Sequence, residues 1–224
     1  MAMAVLCLPD FTPDLRARLA ADCYVPLPRL MYPDGLPALQ DEVRRLEKLA
    51  VRRDFTMASM GHSPRHMTTL GGNLIAQESE LITSVYRDSQ LIRLVGAIAG
   101  WEAVEVRDPL ERHVINILHQ QGDTHGAHTD DYPLALVLFT EAPDDPADGG
   151  LLEHVPHAGL DALTTGAARS AHHRPGDGYL LRSDLSAHRV TPLRRSGLRR
   201  TVLNFAYTTP DRQAAITPSA SELY

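Results

Sequence analysis

Residues 125–133 read His125-Gly126-Ala127-His128-Thr129-Asp130-Asp131-Tyr132-Pro133, and they stand inside the run of short apolar segments that decides the fold. Before them, Ala103–Arg107 alternates and His113–Leu118 is β-branched. After them come Tyr132–Thr140, Leu151–Val155, Gly178–Arg182, Ala187–Val190 and Arg199–Thr208, each bounded by turn-forming residues. Short strands at this spacing predict an antiparallel sandwich or barrel. Upstream of Trp101 the pattern is helical. Asp10–Asp22 reads as one helix with Thr12 as N-cap and Pro13 at its first position. Leu39, Val43, Leu46, Leu49 and Ala50 give a second. Glu78–Gly100 gives a third, ending at Gly100. Ser59–Asn73, rich in Gly, Pro, Ser and Thr, reads as a long loop suited to a lid. The expectation is helices first, then a β core whose outer face they cover.

Composition narrows the function classes. The 224 residues carry 22 basic and 28 acidic side chains, a net charge of −6, and Lys48 is the one lysine. Such a balance gives no broad basic field for nucleic acid and no lysine-rich stretch for an anionic membrane. No apolar run reaches the roughly 18–20 residues that span a bilayer. Met1–Asp10 lacks the basic start of a secretory signal. Cys7 and Cys23 form neither a CxxC pair nor a disulfide framework, so a reducing cytoplasm is the expected setting. Eight of the 11 histidines fall between His113 and His173.

His128 and Asp130 are two residues apart, so on an extended segment both point to one face. A third ligand would come from another strand, and His188 lies in one. Two histidines and one carboxylate form the facial triad of non-haem Fe(II) sites, which leaves positions open for a co-substrate and dioxygen. In Arg199–Tyr207 a period of two places Arg200, Val202, Asn204 and Ala206 on one face. An arginine turned into a barrel is costly unless it meets a carboxylate, and a dicarboxylate would supply one. Arg200, rather than Arg199, is the expected clamp, and a bulge in the strand would reverse the choice.

His128-Thr129-Asp130, His188 and the following arginine strand resemble the iron(II)- and 2-oxoglutarate-dependent dioxygenases. The wording of His125–Leu136, Gly149–Glu153, Gly176–Gly178, His188–Pro192 and Arg199–Tyr207 is similar to the free-amino-acid hydroxylases related to the free-lysine halogenases. The resemblance spans about residues 105–208. It implies an α+β fold: a double-stranded β-helix, or jelly-roll, core with an N-terminal helical layer. Residues 1–224 would be one dioxygenase domain, with 1–100 mostly helical support and lid, 101–210 the core and 211–224 a tail. It implies Fe(II) held by His128, Asp130 and His188, with 2-oxoglutarate and O2 as co-substrates. In the halogenating relatives a small residue replaces the triad carboxylate and chloride takes its place; Asp130 therefore implies hydroxylation.

The resemblance implies a substrate contact at His125, while Arg65, Glu111, Asp131 and Asn204 are candidate substrate contacts from their own position and charge. On the plainer reading Arg65 and Asp131 are solvated and Glu111 is a surface acid. Arg65 would clamp an α-carboxylate. Glu111 and Asp131 would meet ammonium groups, which favours a basic amino acid, although pairing with a protein arginine would admit a neutral one. His125 as a loop cap is the plain alternative. His154 and His157 read as rim residues, His172 and His173 as solvated, and Met57, Met60 and Met67 as adaptable packing. Oxygenation of a prolyl or other residue in a peptide, a non-catalytic metal-binding jelly roll and a zinc hydrolase remain rival readings. Neither the substrate's identity nor the oligomeric state follows from the sequence.

Overall fold

In the computed structural model, described over residues 4–213 and at Leu223, the strands form one curled antiparallel sheet. They are β1 (Tyr24–Leu27), β2 (Val51–Met57), β3 (Ser63–Leu70), β4 (Val104–Glu105), β5 (His113–Leu118), β6 (Thr124–His128), β7 (Leu134–Glu141), β8 (Leu152–Pro156), β9 (Arg169–Ala171), β10 (Gly178–Leu181), β11 (Ser186–Val190) and β12 (Arg200–Thr208). Their order is β1-β10-β7-β12-β5-β3-β6-β11-β8-β9, with β2 on β3 and β4 on β12. This is the jelly-roll architecture that the resemblance implies, and its strands are antiparallel, as their spacing predicts.

The roll closes at β3. Its end residues Thr68, Thr69 and Leu70 pair with β5, while Arg65 and His66 pair with β6. One strand thus joins the two halves and turns their inner faces together. The approach is close: a Cβ on Gly126 of β6 would lie 2.6 Å from the Pro64 carbonyl oxygen, so only glycine fits there.

Alternation sorts the side chains. Leu134, Leu136 and Leu138 of β7, Ile115 and Ile117 of β5, and Leu203, Phe205 and Tyr207 of β12 face outward into the main core. Helices cover them: α1 (Pro13–Asp22), α2 (Gly35–Glu47), α3 (Gly72–Glu78), α4 (Glu80–Tyr86) and α5 (Ser89–Ala99). Leu39, Val43 and Leu46 of α2 and Leu91, Leu94, Val95 and Ile98 of α5 belong to the same core, each at a spacing of three or four. On the inner side a smaller cluster gathers Val137, Phe139, Leu152, Tyr179, Leu181 and Val202.

Three expectations need correction. Ser59–Asn73 is not a loop: it holds β3, paired with β2 over Val51–Met57 and joined to it by a 3-10 turn at Ala58–Met60. Gly and Pro signals masked a strand whose Pro64 stands near its start, where a missing N–H is tolerated. The first hundred residues are accordingly less helical than expected, since β1, β2 and β3 all lie in them. Glu78–Gly100 is not one helix. Arg87 and Asp88 interrupt it, and the Asp88 carboxylate accepts from the N–H groups of Gln90 and Leu91 to start α5 afresh. The tail expected at 211–224 lies, beyond Gln213 and apart from Leu223, outside the described residues.

Candidate metal centre and active site

His128 ends β6, and His188 faces it directly across the β6–β11 ladder. Asp130 follows in the turn after β6, its N–H bonded to the Ser183 carbonyl at 2.9 Å. One Asp130 carboxylate oxygen lies 3.6 Å from His128 Nε2 and 3.9 Å from His188 Nε2. The three ligand atoms all fall within 4.8 Å of one another, the only such group of three among the described residues. Each Nδ1 is committed elsewhere: His128 Nδ1 lies 2.7 Å from the Gly126 carbonyl and His188 Nδ1 2.9 Å from that of Ser186. A backbone acceptor at Nδ1 places the proton there and leaves the Nε2 lone pair for a metal.

Burial holds His128 well below the usual histidine range, and the neighbouring imidazoles of His125 and His188 add to the effect. A neutral imidazole is the form that ligates. Burial also pushes Asp130 up, partly opposed by His188 and by a hydrogen bond with Ser183. A buried carboxylate disfavoured in its charged form gains most from a cation beside it. Two nitrogens and one oxygen in a partly open arrangement suit Fe(II), and the residues present fit that ion.

Two pockets meet at this triad. The first, about 400 Å³, is bounded by Asn116, Tyr179, Arg200 and Asn204, with His128, Asp130 and His188 at one side. Arg200 is 3% exposed, and no ion pair of it occurs among the described residues. Its Nε is buried without a hydrogen-bond partner. Burial pulls its charge down, and the Tyr179 hydroxyl bonded to it works the other way. Its guanidinium carbon lies 5.0 Å from the Phe139 ring centre. A buried cation so placed fits a carboxylate ligand. Arg199 turns outward instead, donating to Glu141 at 3.0 Å and Glu47 at 2.8 Å. The β12–β7 register does shift, between Thr201 and Val202, yet Arg200, Val202 and Asn204 all reach the pocket.

The second pocket, about 590 Å³, brings together all five expected substrate contacts: Arg65, Glu111, His125, Asp131 and Asn204. Met57, Met60, Tyr132 and Leu223 complete its apolar walls. Arg65 sits on β3, not in a loop, 1% exposed, donating to Ser63 Oγ at 2.6 Å and to the Pro64 carbonyl at 3.1 Å. His125 lies within β6 rather than capping a loop. Its ring stacks on His128 with centres 4.0 Å apart, its Nε2 is buried without a partner, and burial lowers its basicity. Asn204 Oδ1 is likewise buried without a partner, and both residues line both pockets. Asp131 is exposed at the rim, where the turn before β7 breaks the alternation that would have turned it from Asp130.

Other histidine readings change. His154 is buried, 2% exposed, opposite His188 on β8, with its ring centre 4.9 Å from that of Tyr24. His173 is buried too and is held down to about 3 by desolvation, with Arg200 adding to the shift. His157 alone of these stays exposed, as read, approaching Cys23 Sγ at 3.5 Å and the Ala20 carbonyl at 3.0 Å. The sequence reading missed Tyr179 and Asn116. Strand parity offered a signal for both: Tyr179 pairs with inward Val137, and Asn116 with inward Val202.

The model of a family described as halogenase D matches residues 9–222. No curated protein matches the chain. Among solved structures, the chain is similar to the non-heme alpha ketoglutarate dependent epimerase SnoN from nogalamycin biosynthesis, at TM-score 0.69 and 16% identity over 88% of this chain and 81% of that one. It is similar to an oxidoreductase of the 2OG-Fe(II) oxygenase family from Burkholderia pseudomallei, at 0.64 and 19%, over 92% and 96%. A Pseudomonas putida prolyl-4-hydroxylase follows at 0.59 and 17%, over 88% and 100%. The fold is that of the Fe(II)/2-oxoglutarate oxygenases.

Proposed function

The chain belongs to the halogenase D family, and from that premise we propose that it is an Fe(II)/2-oxoglutarate-dependent hydroxylase of a small free amino acid, with a basic one favoured. The observation that carries the reading is the position of the His128–Asp130–His188 triad between two pockets, one ending on the buried Arg200 and the other holding Arg65, Glu111 and Asp131. Bound iron would supply dioxygen activation, with 2-oxoglutarate decarboxylated to succinate and one oxygen atom delivered to a C–H bond.

The residues divide the remaining work. His128, Asp130 and His188 hold the ion. Arg200 and the Tyr179 hydroxyl bind the distal carboxylate of 2-oxoglutarate in a site screened from water. Arg65 pairs with the substrate's α-carboxylate, and Glu111 and Asp131 meet its ammonium groups. His125 and Asn204, which line both pockets, hydrogen-bond at the junction. Met57, Met60 and Leu223 enclose an aliphatic stem. Together they place one C–H bond toward the open side of the triad, which is the protein's part in the reaction. Asp130 favours hydroxylation over halogenation, because its carboxylate fills the position that a halide would need.

The test is turnover with Fe(II), 2-oxoglutarate, ascorbate and air across lysine, ornithine, arginine and histidine, against norleucine, leucine and glutamine. A mass gain of one oxygen on a basic member is expected. Turnover of norleucine or leucine with none of any basic member would defeat the charge argument. Modification of a proline-containing peptide alone would favour the peptide reading, which the fold shared with a prolyl-4-hydroxylase keeps in play. The absence of oxygen-dependent succinate would favour a non-catalytic metal-binding protein. No helix among the described residues is long and apolar enough to cross a membrane.

A further inference from the structure

Behind Arg200 stand three rings that the proposed chemistry does not use, those of Phe139, His173 and Tyr24. The Phe139 ring that meets the guanidinium also stacks on His173, with centres 4.5 Å apart and planes 14° from parallel. His173 Nε2 lies 2.9 Å from the hydroxyl of Tyr24. Tyr179, which hydrogen-bonds Arg200, packs 5.0 Å from His173 and 5.6 Å from Tyr24. Tyr24 belongs to β1, the edge strand on β10, far in sequence from the triad.

A buried guanidinium without a carboxylate needs its place fixed by weaker contacts. Cation–π attraction depends on how the ring faces the cation, so a ring free to turn would hold Arg200 poorly. A planar neighbour stacked on Phe139 restricts that turning. That neighbour must also be uncharged, since an imidazolium would compete for the ring and repel Arg200. The hydrogen bond between the Tyr24 hydroxyl and Nε2 fixes the ring's plane, and burial favours the neutral ring.

We infer that Tyr24 and His173 form a positioning pair for the co-substrate: they hold Phe139 flat against Arg200, so that strand β1 sets the affinity for 2-oxoglutarate. Neither residue touches the ligand; both act through Phe139. The inference rests on the reading of Arg200 as the clamp for that carboxylate.

The experiment is calorimetric binding of 2-oxoglutarate to the Mn(II)-loaded protein, with Mn(II) binding measured separately. His173→Ala is expected to raise the 2-oxoglutarate Kd about tenfold. His173→Phe, which keeps a stacked neutral ring, should stay within about twofold of wild type. Tyr24→Phe should raise the Kd about fivefold in the wild-type background and have no effect in the His173→Phe background, because the hydrogen bond acts only through His173. Mn(II) affinity should be unmoved throughout. An unchanged Kd in His173→Ala would overturn the inference, as would parallel losses of Mn(II) and 2-oxoglutarate binding, which would mark a merely loosened roll. If the wild-type protein binds Mn(II) but not 2-oxoglutarate, the clamp reading falls and this inference with it. Wild-type binding with indifferent variants defeats the inference alone.

Discussion

The two faces of β12 answer to different demands. Outward, Leu203, Phe205 and Tyr207 are fully buried under helices, and Arg199 is held by two carboxylates. Inward, Arg200 has a tyrosine hydroxyl and a ring face, and the Oδ1 of Asn204 is left without a partner. The outer face has spent its bonding capacity on the fold. The inner face keeps some in reserve, at a cost in stability, and that reserve is what the proposed co-substrate would use.

The sharpest way to break this contrast is at the triad. Asp130→Ala should remove several kcal/mol of activation-energy lowering, about a thousandfold or more in oxygen-dependent succinate formation. It should not lower the melting temperature of the metal-free protein, because burial already works against that carboxylate. Full turnover in the variant would show the triad is misassigned. The outer face predicts the reverse: Phe205→Ala should cost about 3–5 kcal/mol of stability, read by urea unfolding, with the Km for 2-oxoglutarate little changed in the fraction still folded.

Neighbouring arginines give the next comparison. Arg200→Gln should raise the Km for 2-oxoglutarate by about 30- to 100-fold, the loss of a charge-assisted pair of roughly 2–3 kcal/mol. Arg199→Gln should leave that Km alone and cost under about 1 kcal/mol of stability, since its pairs are partly exposed. The opposite ranking would mean the strand face is inverted.

A smaller effect should appear with pH. His154 and His173 near the inner site titrate at about 4 and about 3, and His113 on the helix side at about 4, all held down mainly by burial. A folded pKa below the unfolded value of about 6.5 means the unfolded chain binds more protons. Their contribution is therefore complete above about pH 6.5 and is lost as the pH falls toward 4, by at most about 1.4 kcal/mol per pH unit for each group. The urea midpoint should fall over that window, and His173→Phe should reduce the slope by about one proton. A flat profile would show that these imidazoles are not buried neutral.

Much of this was legible from residues alone, for identifiable reasons. Period-two alternation placed Arg200 and Asn204 inward and Phe205 outward, and β5 was read at its observed bounds, because strands buried on both faces are strongly apolar. The meeting of His128, Asp130 and His188 was readable because two of them face each other across a ladder and the third follows two residues after the end of β6. What escaped was set by tertiary contact. Pro64 and the Gly-rich surroundings hid β3, whose pairing depends on β5 and β6 rather than on local propensity. Asp88 broke the third helix through a cap that looked like an ordinary helical residue. His173 looked solvated because its neighbours are polar, while its own ring stacks into Phe139.

The place of β12 in the sheet has a consequence for biosynthesis. It lies between β7 and β5, both made earlier, and supplies the central ladder of the larger half of the roll. On the ribosome, β5 and β7 wait with open edges until residue 208 has emerged, several seconds at ordinary elongation rates of about 5–20 residues per second. Nascent chains shorter than that have two exposed strand edges and no finished core to bury them, so they should engage chaperones or aggregate rather than hold a partial native fold. Since the same strand carries Arg200, the pocket proposed for the co-substrate and the fold are completed in one event.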